Sequence, residues 1–553
     1  MKLTGAQIIV ETLIEQGCDT VFGYPGGAVL VIYDELYKNS DRIRHIITAH
    51  EQGAAHAADG YARVTGKVGV CIATSGPGAT NLVTGIANAY LDSTPLVAIT
   101  GNVPLSLLGR DSFQEVDIAG ITMPITKHNY IVKDVRDLAD VIREAFKIAK
   151  SGRPGPVLID IPRDVQTSSC EYEKADVVKK FPYPKVNKQS VKEAVELINS
   201  SKRPYIYSGG GVVLADAGDT VLELAKKIDA PIGCSMMGLS AISADYKGML
   251  GMTGMHGTYH ASKAKQEADL IIAVGVRFSD RATGNISKYS KNAKIIHIDV
   301  DSAEIDKNVT SYLGILGNVN DIVKEITAQV EPRQNPEWFA VIEKMKEHAK
   351  TFDEYKTRLM PRTIIEKVQE YTTPDTVVAT DVGQHQMWTA QHYKFRKPRT
   401  FVTSGGLGTM GFGMGAAIGS CIGRGEKKTV LFTGDGSFGM NLNELATATS
   451  YNLPLVIVIM NNKVLGMVRQ WQSLFYGKRY SNTTLNRKTD FVKLAEAFGA
   501  TGLRATTVEE LDKALEKAFG MDTPVLIDCH IEMDEMVLPM IPPGGSIDDI
   551  IIK

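Results

Sequence analysis

Short Val/Ile-rich runs, each closed by Gly, Pro or a polar residue, recur along the whole chain and alternate with segments of helical spacing. KVGVCIATS, LVAITG, GPVLIDIP, RPYIYSG, LIIAVGV, KIIHIDV, TVVATDV, TVLFTGD, LVIVIMNN and PVLIDC are such runs. A strand that is apolar along its whole length must be covered on both faces, as in a parallel sheet flanked by helices. Helices between such strands imply right-handed crossovers. The predicted fold class is therefore α/β, with doubly wound, mostly parallel sheets.

Two charged stretches break this rhythm, residues 171–188 and about 331–360, and both read as linkers. They divide the 553 residues into three predicted domains, 1–170, 189–330 and 361–553. The first and third each carry a strand–glycine-turn–helix motif, TSGPGATN and TGDGSFGMN, a weak hint of internal duplication. A net charge of −2 gives no reason to expect nucleic acid or an anionic membrane as partner. No run approaches the ~20 apolar residues a membrane span needs, and MKLTGAQIIVETLIEQG carries Glu11 and Glu15, unlike a targeting segment. The six cysteines lack paired or metal-type spacing, so reduced thiols in a cytoplasmic protein are expected.

The segment GDGSFGMNLNELATATSYNLPLVIVIMNN is the most specific feature. Asp435 ends one predicted strand, a helix follows, and Asn461-Asn462 end the next. Both polar groups thus emerge at carboxyl ends of strands in one parallel sheet, where open α/β folds bind ligands. Mg²⁺ takes oxygen ligands, usually one or two from protein and the rest from phosphate and water. The Asp435 carboxylate, the Asn462 amide oxygen and a backbone carbonyl near Val464 would supply them. Gly434 and Gly436 would let a diphosphate approach the backbone. Alone, a GDG is more simply a helix cap; together with the NN one unit later it resembles the cofactor motif of thiamine-diphosphate enzymes.

The resemblance covers nearly the whole chain and narrows to the acetolactate synthase (acetohydroxyacid synthase) large-subunit family. VFGYPGGAVL, HEQGAAHAADGYAR, SFQEVDI, GRPGPVLIDIPRDV, GMHGTYHA, RFSDRATGNI, DVGQHQMW, TSGGLGTMGFG and GMVRQWQ carry it. It implies the thiamine-diphosphate-binding fold, with pyrimidine-binding, FAD-binding and diphosphate/Mg-binding domains in that order. Thiamine diphosphate, Mg²⁺ and a non-redox FAD are the implied cofactors. The implied reaction decarboxylates pyruvate and passes the two-carbon unit to pyruvate or 2-oxobutanoate, on the way to valine, leucine and isoleucine.

The same resemblance assigns residues. Glu51 would activate the coenzyme, and Gly27, Phe113, Gln114 and Arg163 would surround the reacting carbons. Gln384, His385, Gly408, Met410, Asp435, Gly436, Ser437 and Asn462 would contact thiamine diphosphate and its metal, with Met467 bending the coenzyme. Arg153, Gly209, Gly210, Gly211, Met255, His256, Gly275, Arg277, Arg281 and Asp299 would bind FAD. Arg281 and Trp471 would recognise the second keto acid through its carboxylate and its alkyl group. The family pattern also implies a homodimer or tetramer with sites between subunits, and a small regulatory subunit. Val31, Gly415 and Ser279 depart from that pattern, Ser279 replacing an acid expected near the flavin. Two other readings stay open: an FAD-dependent pyruvate oxidase, and a non-catalytic scaffold of the same fold.

Overall fold

The computed structural model describes residues 1–177, 183–350 and 358–552. Among these, three six-stranded sheets carry the fold, all internally parallel. The first runs Arg44–Ile47, Thr20–Gly23, Gly69–Ala73, Leu96–Asn102, Pro156–Pro162, His128–Ile131 from edge to edge. The middle sheet runs Met249–Met252, Ile232–Cys234, Pro204–Ser208, Leu270–Val274, Lys294–Asp299, Leu313–Leu316. The last runs Phe401–Val402, Val377–Thr380, Thr429–Gly434, Leu455–Asn461, Val525–His530, Thr501–Ala505. A short antiparallel pair, Lys2–Thr4 with Ser169–Glu171, ties the amino terminus to the end of the first domain.

Counted in chain order, the first and last sheets share one strand order, 2-1-3-4-6-5, while the middle sheet is 3-2-1-4-5-6. The shared order is what a repeated unit would leave. The middle order is that of doubly wound dinucleotide-binding folds, whose ligand lies where the order reverses, between strands 1 and 4. Here the reversal falls between Pro204–Ser208 and Leu270–Val274, whose carboxyl ends lead into Gly209–Gly211 and Gly275.

The first and last domains meet through helices Glu51–Thr65 and Phe412–Gly423, both poor in large side chains. A Cβ on Gly60 would lie 2.2 Å from the Ala416 carbonyl oxygen, and one on Gly419 would lie 1.8 Å from that of Ala57. Glycine at these points lets the helix backbones touch, which fixes how the two sheets face each other.

One expectation fails. Residues 331–360, read as a structure-poor linker, contain the helix Pro336–Lys350. Its Trp338, Ile342 and Met345 recur at helical spacing and are buried against the middle domain, with Trp338 Nε1 donating to the Pro204 carbonyl at 3.1 Å. The charged residues that suggested a linker form the solvent face of this amphipathic helix. Residues 178–182 and 351–357 of the two predicted linkers lie outside the described residues. All six cysteines are free and five are buried. Among the described residues no helix is long and apolar enough to cross a membrane.

Candidate active site

Asp435 follows Thr429–Gly434 and Asn462 follows Leu455–Asn461, adjacent strands in which Gly434 is paired with Met460. Their side chains therefore emerge side by side at the carboxyl edge of the sheet, and both are buried. The two asparagines do different work. Asn461 donates to Asp528 at 2.9 Å within the sheet, while Asn462 accepts from the Val464 N–H and donates to Gln384 Oε1, both at 3.2 Å. Ser437 caps the turn that follows Asp435, its Oγ accepting from Gly434 N at 3.4 Å. Burial pushes the Asp435 carboxyl up to about 6. A Cβ on Gly436 would meet Leu465 at 2.8 Å.

Gln384 and His385 begin the helix Gln384–His392, just past the neighbouring strand Val377–Thr380. Gln384 is held from both ends: it accepts from Asn462 and donates to Gln470 at 3.1 Å and the Glu535 carbonyl at 2.7 Å. His385 is buried with Nε2 unpartnered, and burial lowers its pKa to about 3, so the ring is neutral. Gly408, with φ +70°, and Met410 lie on the loop between Val402 and Phe412.

Glu51 starts the helix Glu51–Thr65, capped by His50, and Asn81 Nδ2 donates to its Oε2 at 3.0 Å. Gly27 opens a short 3-10 turn beside Thr74, and a Cβ there would meet nothing within 4 Å. Gln114 adopts φ +58°, beside an 88% exposed Phe113, and Arg163 is exposed at the start of Arg163–Thr167. These five residues share the carboxyl edge of the first sheet.

A cavity of about 1290 Å³ lies at the carboxyl edge of the middle sheet and opens towards the last domain. Of the residues expected to bind flavin, Arg153, Gly210, Gly211, Met255, His256, Gly275, Arg277, Arg281 and Asp299 line it; Gly209 does not. A Cβ on Gly209 would lie 2.0 Å from the Gly275 carbonyl oxygen, so the two strand-end turns pack backbone to backbone. Gly275 itself has φ +60°. Asp299 ends its strand buried, with burial raising its carboxyl to about 6. Gly408, Met410, Met467 and Trp471 line the same cavity from the last domain. The Arg281 guanidinium sits 5.8 Å from the Trp471 ring centroid, which brings together two residues far apart in sequence. Glu51, Gly27, Phe113, Gln114, Arg163 and Asp435 are not among the cavity's lining residues.

Several site-building residues escaped the sequence reading. Gln470 bridges Gln384 to the backbone of Val537. Glu444, fully buried, accepts from Ala49 N at 3.2 Å and Thr447 at 2.7 Å, close beneath Glu51. All three lay inside motifs already singled out, Gln470 in GMVRQWQ, Glu444 in GDGSFGMNLNELATATSYNLPLVIVIMNN and Asn81 in TSGPGATN, but with no role assigned.

This arrangement of three doubly wound domains, with an acid and an amide at neighbouring strand tips, is matched by sequence comparison. Residues 3–121, 191–326 and 381–529 match the N-terminal TPP binding domain, the central domain and the C-terminal TPP binding domain of thiamine pyrophosphate enzymes. The chain is therefore a thiamine pyrophosphate enzyme by class. It is 45% identical to a probable acetolactate synthase large subunit of Methanocaldococcus jannaschii, over 99% of this chain and 95% of that protein. It is 44% identical to acetolactate synthase isozyme 2 large subunit of Escherichia coli over the full length of both. An acetolactate synthase large subunit of Haemophilus influenzae is 43% identical over all of this chain and 98% of its own. The chain belongs to the acetolactate synthase large-subunit family.

Proposed function

We propose that this protein is an acetolactate synthase: it decarboxylates pyruvate and transfers the two-carbon unit to a second pyruvate or to 2-oxobutanoate. The observation that carries the reading is the meeting of Arg281 with Trp471 beside Met467 in one cavity, in a chain whose relatives bear that name along their full lengths. We infer three cofactors. Thiamine diphosphate would contact Gln384, His385, Gly408, Met410, Gly436 and Ser437. Magnesium would take the Asp435 carboxylate, the Asn462 amide oxygen and the Val464 carbonyl. That donor set is all oxygen, as a hard cation requires, and the remaining ligands would come from diphosphate and water. FAD would occupy the middle-domain cavity. Its support is the strand order of that sheet, the interlocked glycines at the reversal point, and the unpartnered Nδ1 of buried His256.

When bound, thiamine diphosphate supplies the nucleophilic carbon and the electron sink for decarboxylation. Glu51, with Oε2 fixed by Asn81, keeps Oε1 as the atom that gives and takes a proton. Gly27, Phe113, Gln114 and Arg163 would wall the reacting carbons. Arg281 exchanges its exposed contact with Asp280, at 3.1 Å, for the carboxylate of the acceptor. Trp471 packs the acceptor's alkyl group, where one methylene is worth about 1–3 kcal/mol.

A homodimer, or a tetramer built from it, completes the reading. Its support is that Glu51 is not among the residues lining the cavity that holds Met467, together with the exposed Leu30, Phe113, Met123 and Met440. Relatives named large subunits point to a small regulatory partner. A cytoplasmic location agrees with the free cysteines.

The decisive experiment assays purified protein for acetolactate from pyruvate, with and without 2-oxobutanoate, while recording the flavin spectrum. Glu51→Gln should lower the rate by about 10²–10⁴. Flavin that bleaches during turnover would favour a pyruvate oxidase, and equal rates for wild type and variant would favour a scaffold.

A further inference from the structure

The helix Val83–Asp92 ends in a turn, Leu91–Asp92–Ser93, whose successive residues hold Arg277 of the middle domain, the Gly405–Gly406 backbone of the last domain and Arg153 of the first. The Leu91 carbonyl accepts from Arg277 Nη1 at 2.5 Å, and Ser93 Oγ accepts from Arg153 Nε at 2.8 Å. Both arginines line the middle-domain cavity. Between them, the Asp92 carboxylate accepts from the backbone N–H of Gly405 at 3.1 Å and of Gly406 at 2.7 Å, and from Arg63 at 2.9 Å.

Gly405 and Gly406 belong to the loop that presents Gly408 and Met410. The last domain holds that loop through Gln386, which donates to Thr403 Oγ1 at 2.7 Å and the Ser404 carbonyl at 3.0 Å, and through Asp381, which accepts from Gly411 N at 2.8 Å. The same patch of the first domain holds it from the other side. Asn88 accepts from Ser404 at 2.6 Å and Thr409 at 3.2 Å, and Arg63 donates to the Thr403 carbonyl at 2.9 Å. The Asp59 and Asp92 side chains are 0% exposed. A Cβ on Gly406 would lie 2.9 Å from Asp92 Oδ1 and one on Gly405 would lie 2.3 Å from Met237 Sδ, so the loop backbone has one tight seat. Ser93 holds φ +59°, a conformation costly for a side-chain-bearing residue unless its surroundings impose it.

We propose that Asp92 is a positioning residue through which occupancy of the middle-domain cavity sets the order of the Thr403–Gly411 loop, and hence affinity for thiamine diphosphate. This rests on the reading that the cavity takes FAD and the loop faces thiamine diphosphate. An anionic dinucleotide that engages Arg153 and Arg277 fixes the two guanidiniums. They fix Leu91 and Ser93, and Asp92 between them then holds Gly405 and Gly406 in register. No electron leaves the flavin. Such a coupling gives an oxidised, unreactive flavin a binding role, and linkage makes it reciprocal: each cofactor must raise the affinity of the other by the same factor.

The test is equilibrium binding on full-length protein stripped of cofactors by dialysis. Thiamine diphosphate with Mg²⁺ is titrated with and without saturating FAD, and FAD with and without saturating thiamine diphosphate. Wild type should show the same enhancement in both directions, about 5- to 150-fold. Asp92→Asn should still bind FAD but bring the enhancement close to one. Should loss of the Arg63 partner prevent Asp92→Asn from folding, Ser93→Ala leaves the buried charges intact and should weaken FAD binding while shrinking the enhancement. Full enhancement in a folded Asp92→Asn or in Ser93→Ala, or none in wild type that binds both cofactors, would overturn the inference. Wild type that binds no FAD would instead remove the flavin assignment, and this inference with it.

Discussion

Gly466 shows how tightly individual positions are fitted around the proposed cofactor. A Cβ there would lie 1.9 Å from Gln384 Oε1 and 3.0 Å from Asn462 Nδ2. Gly466→Ala must displace Gln384, which orients Asn462. Metal-dependent cofactor affinity should fall by about 10–100-fold, as when other supports of metal ligands are lost; titration of Mg²⁺ at fixed thiamine diphosphate measures it. Trp471→Ala should erode the preference for 2-oxobutanoate over pyruvate towards unity, with Arg281→Gln weakening both acceptors; competition between the two keto acids separates these outcomes. The side chains that the proposed function rests on could be singled out because they sit within short motifs, Asp435 and Asn462 at strand ends and Arg281 and Trp471 in helices. Asp92, Glu444 and Gln470 were not. Each is defined by partners far away in sequence, and a buried carboxylate carries no local mark of what it will bind.

Strands were legible in proportion to their burial. The runs read as strands are inner members of the three sheets, apolar from end to end because helices cover both faces. All six edge strands escaped, among them Arg44–Ile47 and His128–Ile131, whose exposed positions break the apolar run. The inner Thr20–Gly23 and Ile232–Cys234 carry at most two consecutive large apolar residues, too few to register. Helix Gly5–Glu15 teaches a related lesson: Glu15, taken as a polar interruption, is buried at its end. Although burial opposes ionisation, bonds from Arg143, the Ala175 N–H and Tyr172 hold the Glu15 carboxyl down at about 2. A carboxyl depressed on folding contributes stability above its ordinary value, near 4.3, and loses it as pH falls towards 2. Glu15→Gln should therefore cost about 1–3 kcal/mol at pH 7 and little near pH 2. Urea denaturation at both pH values gives the comparison.

The carboxyl-terminal segment joins the last domain to the middle one. Val537 exchanges hydrogen bonds with Gln470, Ile541 N donates to the Met255 carbonyl at 2.8 Å, and Asn285 N donates to that of Gly545 at 2.9 Å. It thus brackets Arg281 from both sides in sequence. Deleting residues 540–553 should lower acetolactate formation and release more free acetaldehyde per pyruvate consumed, because water then reaches the reacting carbons; unchanged kinetics would argue that the segment only packs. Glu51 and Asp435 lie on the matching edges of two sheets with one strand order, and sharing them between subunits, as the proposed dimer does, has a genetic consequence. If each site borrows one edge from either subunit, a Glu51→Gln chain paired with an Asp435→Asn chain concentrates both lesions in one site and leaves the other whole. Two inactive alleles would then rescue each other when co-expressed, whereas sites confined to single chains would leave the mixture dead.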